Sequence, residues 1–367
     1  MPTVSVNLKD CSYDILVEQG VLRRAGELIK AAGLEGHAAL ITDTNISLHY
    51  SDTVKNSLQA AGYTVSVHLT PPGETSKCMD QVQLLSRSLI EQHHDRGSFV
   101  VALGGGVIGD LAGFVASIFY RGIPYVQIPT TVVAQADSAI GGKTGVNEPE
   151  GKNLIGSFHQ PTLVLSDPDT LLTLPDRVFH EGFAEVIKHA AIRDADMLGH
   201  LESMNPNNKS VDPELIARNA AIKARIVEED EREQSGIRAL LNFGHTVGHA
   251  IEASAEYGTL LHGEAISLGV RAALYLSEKV TGLKAIYTER LLALHRHWNL
   301  PLVLETKISN DAIRTALSRD KKFRNGKRPF VLLSSPGDAV LSEEVTHDLV
   351  NEAIDHIRTP IEGSVAA

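Results

Sequence analysis

Between residues 38 and 103 short β-branched runs alternate with helical stretches, and few folds accommodate that order. Residues 38–42, 64–69 and 98–103 read as strands, with helices at 53–61 and 79–92 between them. Strands joined through helices run parallel, because each return has to cross over the sheet. Residues 125–128 and 163–166 continue the strand series. Beyond Leu174-Pro175-Asp176 the texture becomes long, Ala/Leu/Glu-rich and helical, at 183–201, 213–233, 239–255, 265–280 and 288–299. The expected organisation is an α/β domain over residues 1–176 and an all-α domain over 177–367, with 328–334 as a lone late strand.

Composition removes several function classes. The most apolar stretch, residues 99–119, contains Asp110 together with Gly104, Gly105, Gly106, Gly109 and Gly113, which suits strand, loop and helix better than a membrane span. With 34 Lys+Arg against 45 Asp+Glu the net charge is −11, and no dense basic run offsets it, so nucleic acid is not an expected partner. Cys11 and Cys78 are too few for a disulfide framework or a thiolate metal site. The Met1 end lacks the basic-then-apolar pattern of a signal peptide, and the cytoplasm is the expected compartment. The acidic run at 228–233 reads as a solvated helix end.

Three clusters carry chemistry. Gly104-Gly105-Gly106-Val107-Ile108-Gly109 satisfies G-x-G-x-x-G after a strand and before a helix, either as a dinucleotide cradle or as a tight turn. An acid able to hold a ribose lies upstream, at Asp43 in Ile41-Thr42-Asp43-Thr44-Asn45. Gly141-Gly142-Lys143-Thr144-Gly145 fails the Walker A pattern because Asp137 stands where its first glycine belongs. Lys143 and Lys152, close in sequence to Asp137 and Asn153, are either anion contacts or surface lysines. In the helical half His245 and His249 stand one helical turn apart, His262-Gly263-Glu264 follows, and Glu185 and Lys188 sit at i, i+3. No Glu follows His245, so the metalloprotease motif is absent. These residues can supply a zinc site of two imidazoles and one carboxylate, or else structural histidines and a surface ion pair.

Together the motifs resemble the 3-dehydroquinate synthases of the sugar phosphate cyclase superfamily. The markers run from Asp43 to about Leu333: Pro72-Gly73-Glu74 with Lys77, Gly104 to Asp110, Arg121-Gly122, Pro129-Thr130-Thr131, Asp137 to Gly145, Gly151-Lys152-Asn153, Ala184-Glu185-Val186-Ile187-Lys188, Asn242 to His249 and His262-Gly263-Glu264. The resemblance implies a Rossmann-like NAD-binding α/β domain followed by an all-α domain carrying zinc and much of the substrate site. It implies Zn²⁺, with Co²⁺ an alternative, on Glu185, His245 and His262. It implies NAD against Asp43, Asn45, Pro72, Gly73, Glu74, Lys77, Gly105, Gly106, Val107, Gly109, Asp110, Thr130, Thr131, Lys143, Lys152, Thr170, Leu171, Leu172 and Thr173. Substrate contacts fall to Asp137, Lys143, Asn153, Lys188, Lys223, Arg238, Asn242, His249 and Lys327, with Arg121 reaching across a homodimer. His249 is thereby a phosphate contact and not a second ligand on its helix.

The implied reaction takes 3-deoxy-D-arabino-heptulosonate 7-phosphate to 3-dehydroquinate and phosphate. NAD⁺ oxidises the C5 hydroxyl, phosphate leaves by β-elimination, the hydride returns, and ring opening with aldol closure completes the carbocycle. The substrate's own phosphate can take the C6 proton, so no protein base is named. Alternatives on the same scaffold are cyclases making 2-deoxy-scyllo-inosose or an epi-valiolone, and more distantly metal-dependent alcohol dehydrogenases similar to glycerol dehydrogenase.

Overall fold

A computed structural model describes residues 1–256, 258–304, 307–319 and 329–361. The chain forms two compact units, one of Met1–Leu174 with Lys209–Arg232 and one of Pro175–Asn208 with Glu233–Ala367.

Strands of the first unit are β1 (Thr3–Val6), β2 (Tyr13–Val17), β3 (His37–Asp43), β4 (Thr64–Thr70), β5 (Phe99–Gly104), β6 (Tyr125–Pro129), β7 (Lys143–Glu148), β8 (Gly151–Phe158) and β9 (Leu163–Ser166). Seven of them form one sheet in the order β1-β2-β9-β6-β5-β3-β4, in which only β1 runs antiparallel to its neighbour. β7 and β8 make a separate antiparallel hairpin. Every residue of β5 and β6 is buried, as a sheet covered on both faces requires. Alternate residues feed two cores. Leu40, Val101, Leu103 and Ile128 pack in one, and Ala39, Ile41, Val100 and Ala102 in the other.

The five strands read from sequence differ from those observed by no more than one residue at either end. Other expectations change, among them the helix at 239–255, which is a turn, Ile237–Asn242, and then the helix His245–Ser254, with Gly244 at φ 78° between them. The stretch 183–201 is two helices, Asp176–Arg193 and Ala195–Ser203, because Asp194 leaves helical geometry (φ −148°, ψ 76°) and its side chain accepts from Met197 N to start the second. The strand expected alone near residue 330 is β10 (Phe330–Ser335), paired antiparallel with β11 (Asp338–Ser342). The single division at residue 176 needs amendment, since the helix Pro213–Glu229 packs on β1 and β2 and belongs with the first unit. Glu228 at its end is consequently more than a solvated acid. Its Oε1 accepts from Asn7 N at 2.6 Å and Asn7 Nδ2 at 2.9 Å, while Asp230 in the same acidic run is buried.

In the second unit the indole of Trp298 stacks on Phe183, centroids 3.5 Å apart, and donates to Leu201 O, which seats the helix Asp176–Arg193 in the core. Both cysteines are free, and among the described residues no helix is long and apolar enough to cross a membrane.

Three histidines outside any motif pack together in the first unit. Ser66 Oγ lies 2.7 Å from His68 Nε2 and 2.6 Å from His94 Nε2, His68 Nδ1 meets Ser88 Oγ at 2.8 Å, and His37 stacks on His94 at 3.9 Å. Burial, and then the charge of neighbouring imidazoles, holds His68 and His94 down at about 4, with Asp95 opposing at His94. An imidazole whose folded pKa lies below its unfolded value stabilises the fold above pH ~6.5 and loses that contribution as pH falls. Urea unfolding followed from pH 6.5 to 4 should therefore show a loss on the order of 2 kcal/mol, allowing for partial solvent screening. The double substitution His68→Gln/His94→Gln should flatten it, and an unchanged slope would refute this origin.

Candidate functional site

In the first unit the residues singled out for a nucleotide follow the carboxyl ends of parallel strands, where ligands of open α/β sheets bind. Asp43 closes β3, and its Oδ1 accepts from Asn45 N at 2.8 Å and Ile46 N at 2.9 Å. Pro72 to Lys77 follow β4, Gly105 to Asp110 follow β5, Thr130 and Thr131 follow β6, and Thr170 to Thr173 lie in the turn Pro168–Thr173 after β9. Tyr50 Oη ties that last turn down, donating to Thr170 O at 3.1 Å and bonding Thr173 Oγ1 at 2.7 Å. The helix Gly106–Ile118 opens with Gly105 at its N-cap and no side chain capping it. Its first N–H groups therefore suit an anion such as a pyrophosphate.

A polar knot joins two of these segments to the β7/β8 hairpin. Lys77, only 5% exposed, pairs through Nζ with Asp110 and donates to Asn153 Oδ1 at 2.5 Å. Asn147 Nδ2 donates to Glu74 Oε1 at 2.7 Å, and Asn153 N donates to Asn147 Oδ1 at 2.9 Å. Burial raises the Asp110 carboxyl while Lys77 opposes that shift. Lys143 opens β7, and Lys152 and Asn153 lie on β8 with Asn153 at φ 56°. Lys223 Nζ donates to Asp137 O at 2.7 Å and pairs with Asp137 Oδ1 at 2.9 Å, so this lysine from the helix-rich part of the sequence completes the first unit. Arg121 is exposed in a left-handed turn, Tyr120 φ 49°, Arg121 φ 71° and Gly122 φ 118°.

In the second unit Glu185, fully buried, pairs with Lys188 one turn along its helix. Its Oε1 lies 3.5 Å from His245 Nε2 and 3.4 Å from His262 Nε2. Nitrogens of His245, His249 and His262 fall within 4.8 Å of one another. Gly244 makes this convergence possible. At φ 78°, with a Cβ position 2.8 Å from Val270 N, it admits no side chain and turns the chain so that His245 starts the next helix. His245 Nδ1 faces Phe243 O at 3.1 Å, and a carbonyl only accepts, so Nδ1 carries the proton and Nε2 keeps its lone pair. Burial first, then the Lys188 charge, hold His245 well below its ordinary value and thus neutral. Burial would lower His262 too, but hydrogen bonds to Glu185 and Glu252 outweigh it and lift the imidazole to about 10. A divalent cation supplies the same compensation for those carboxylates. Two imidazoles and a carboxylate fit zinc, and a cation seated there would displace the His262 proton.

Arg238 is buried with its Nε 3.8 Å from Glu233 Oε1, and Asn242 ends the same turn, Ile237–Asn242. Sequence reasoning missed Glu252, whose Oε2 is 3.4 Å from His262 Nδ1. The signal was present, because 245, 249 and 252 share a helical face. Lys327 lies outside the described residues.

Two family descriptions match in chain order, 3-dehydroquinate synthase N-terminal over residues 67–181 and 3-dehydroquinate synthase C-terminal over residues 182–323. The chain belongs to the 3-dehydroquinate synthase family. A 3-dehydroquinate synthase from Picosynechococcus sp. is 40% identical over 358 residues, 96% of this chain and 98% of the relative. Among solved structures, a 2-epi-5-epi-valiolone synthase from Streptomyces hygroscopicus with NAD⁺ and Zn²⁺ bound superposes with a TM-score of 0.84 at 28% identity, covering 96% of this chain and 98% of the other. A 2-deoxy-scyllo-inosose synthase complexed with carbaglucose-6-phosphate, NAD⁺ and Co²⁺ gives a TM-score of 0.85 at 25% identity, covering 97% and 99%. The 3-dehydroquinate synthase family plan, an α/β domain and then a helical one, is the plan of this chain.

Proposed function

We propose that the chain converts 3-deoxy-D-arabino-heptulosonate 7-phosphate to 3-dehydroquinate and phosphate, using NAD and a divalent ion, zinc or cobalt. The observation that carries the reading is the convergence of Glu185, His245 and His262 in a chain matching both halves of the 3-dehydroquinate synthase family. Identity of 40% to such a synthase, against 28% to the valiolone synthase and 25% to the inosose synthase, favours this product over the other cyclase products.

In this reading the first unit is a Rossmann-like NAD domain. Asp43 and Asn45 receive the ribose, Gly105, Gly106, Val107 and Gly109 the pyrophosphate, and Pro72, Gly73, Glu74, Lys77, Asp110, Thr130, Thr131, Lys143, Lys152 and the 170–173 turn enclose the rest. Glu185, His245 and His262 hold the metal. When bound, NAD accepts and returns a hydride while the metal acts as a Lewis acid on substrate hydroxyls. Lys143, Lys188, Lys223, Arg238 and His249 hold carboxylate and phosphate by charge-assisted hydrogen bonds, and Asp137, Asn153 and Asn242 orient hydroxyls. Asp137 also fixes the Lys223 ammonium, so lysine and acid arrive as one preset pair. We read the protein as a cytoplasmic homodimer in which Arg121 serves the partner's substrate. Its exposure in a left-handed turn supports that role.

Purified protein given the heptulosonate phosphate, catalytic NAD⁺ and Zn²⁺ should release one phosphate per substrate with no accumulating NADH. The carbocycle should be 3-dehydroquinate by NMR. Stoichiometric NADH would indicate a dehydrogenase, and a different carbocycle another cyclase.

A further inference from the structure

The helix His262–Val280 begins with the proposed ligand itself, so the position of the His262 ring depends on what fixes the first residues of that helix. Two fasteners flank it. On one side Glu264 Oε2 accepts from Leu261 N at 2.8 Å, and Arg177 grips the same carboxylate with Nε and Nη2, each at 2.6 Å, while also donating to Thr259 O at 2.7 Å. On the other side Glu181 Oε2 accepts from Gly263 N at 2.6 Å in a buried setting. Glu181 stands one helical turn before Glu185, so one helix, Asp176–Arg193, delivers a carboxylate to the His262 imidazole and another to the backbone beside it. The two backbones touch at this point. A Cβ on residue 263 would lie 1.9 Å from Glu181 O, which leaves glycine as the residue that permits the approach.

We propose that Glu181 is a positioning residue for the metal site, holding the Gly263 N–H so that His262 and Glu185 meet at the separation one divalent cation needs. The inference rests on the reading of His262 as a ligand. A buried carboxyl oxygen that accepts from a first-turn helix N–H, which has no partner within its own helix, makes a directional hydrogen bond. Metal–ligand distances tolerate only about 0.2 Å, so a small drift of the helix start is felt at the ion. Glu181 belongs to the shell of groups that orient ligands without touching the metal.

The test uses the full chain, with Zn²⁺ affinity measured by chelator competition and the visible spectrum of the Co²⁺-loaded protein as a report on ligand geometry. Glu181→Asp keeps the carboxyl group but falls one methylene short of Gly263 N, and Glu181→Ala removes the acceptor. Both should weaken Zn²⁺ by roughly 10- to 100-fold and shift the Co²⁺ bands. Glu181→Gln keeps an acceptor of full length and should restore affinity and spectrum toward the parent. Near-UV circular dichroism checks folding, and should the alanine variant not fold, the Asp against Gln comparison decides. Parental affinity and spectrum in Glu181→Asp, or a Gln variant as weak as Asp, overturns the proposal. His262→Ala run in parallel must lose the metal. If it does not, the ligand assignment itself fails, and the proposal with it.

Discussion

Replacing His245 with alanine should strip zinc from the protein and lower turnover by roughly a thousandfold, while NAD affinity stays at the parental value. The imidazole is the neutral member of the proposed ligand set, its Nδ1–H spent on Phe243 O and its Nε2 turned toward Glu185. Alanine offers no donor in its place, and the remaining Glu185 and His262 make a two-ligand site. Lewis-acid assistance contributes several kcal/mol, and about 1.4 kcal/mol is a factor of ten in rate, which sets the expected fall. The residues proposed for NAD all belong to the other compact unit, so dinucleotide binding gives an internal control. Metal content per chain, turnover and NAD titration measure the three quantities. A variant with full zinc content and parental rate would refute the assignment.

Lys77→Met should cost about 2–3 kcal/mol of stability, below the usual consequence of leaving one partner of a fully buried ion pair alone, because the Asp110 side chain is 18% exposed. Lys77 is the donor for both Asp110 and Asn153, and burial already disfavours the Asp110 charge. The sign with pH follows. A carboxyl whose folded pKa is raised above its unfolded value favours the fold below that unfolded value and disfavours it as pH rises through the folded one. The deficit of Lys77→Met should therefore be largest at neutral pH and shrink in acid. Adding Asp110→Asn removes the orphaned charge and should recover part of the loss, so urea unfolding of the two single variants and the double variant gives a non-additive cycle. Strict additivity, or a deficit that grows in acid, would show that the pair does not carry the effect.

The parallel sheet was legible because its strands alternate with helices and feed two cores, which forces continuous apolar runs such as Phe99 to Leu103. The β7/β8 hairpin escaped because its outward strand carries Lys152, Asn153 and Gly156 in place of an apolar alternation. The break at Asp194 escaped for another reason. An aspartate that caps the next helix reads in sequence as one more polar position on a continuing one. In the site, spacing alone brought His245 and His249 together, since both lie on one helix, but could not rank His249 against His262, which approaches from a different helix. Glu252 was within reach of the periodicity, yet Glu181 was not, because its partner is a backbone N–H 82 residues away. Residue patterns report neighbours on one element, whereas contacts made by main-chain atoms of a distant segment leave no mark in composition.

The helix Pro213–Glu229 has a bearing on how this protein can be cut or engineered. The chain leaves the first unit after Leu174, returns at Lys209 and leaves again after Arg232, so three covalent crossings link the units. A fragment ending near residue 176 would lack the helix that covers β1 and β2, along with Lys223 and the Glu228 anchor for Asn7. Its outer strands would present bare apolar surface and unpaired polar groups to water. The two halves are therefore not separable modules on a string. A gene-splitting or domain-exchange experiment has to carry residues 209–232 with the α/β portion, as an insertion and not as a tail.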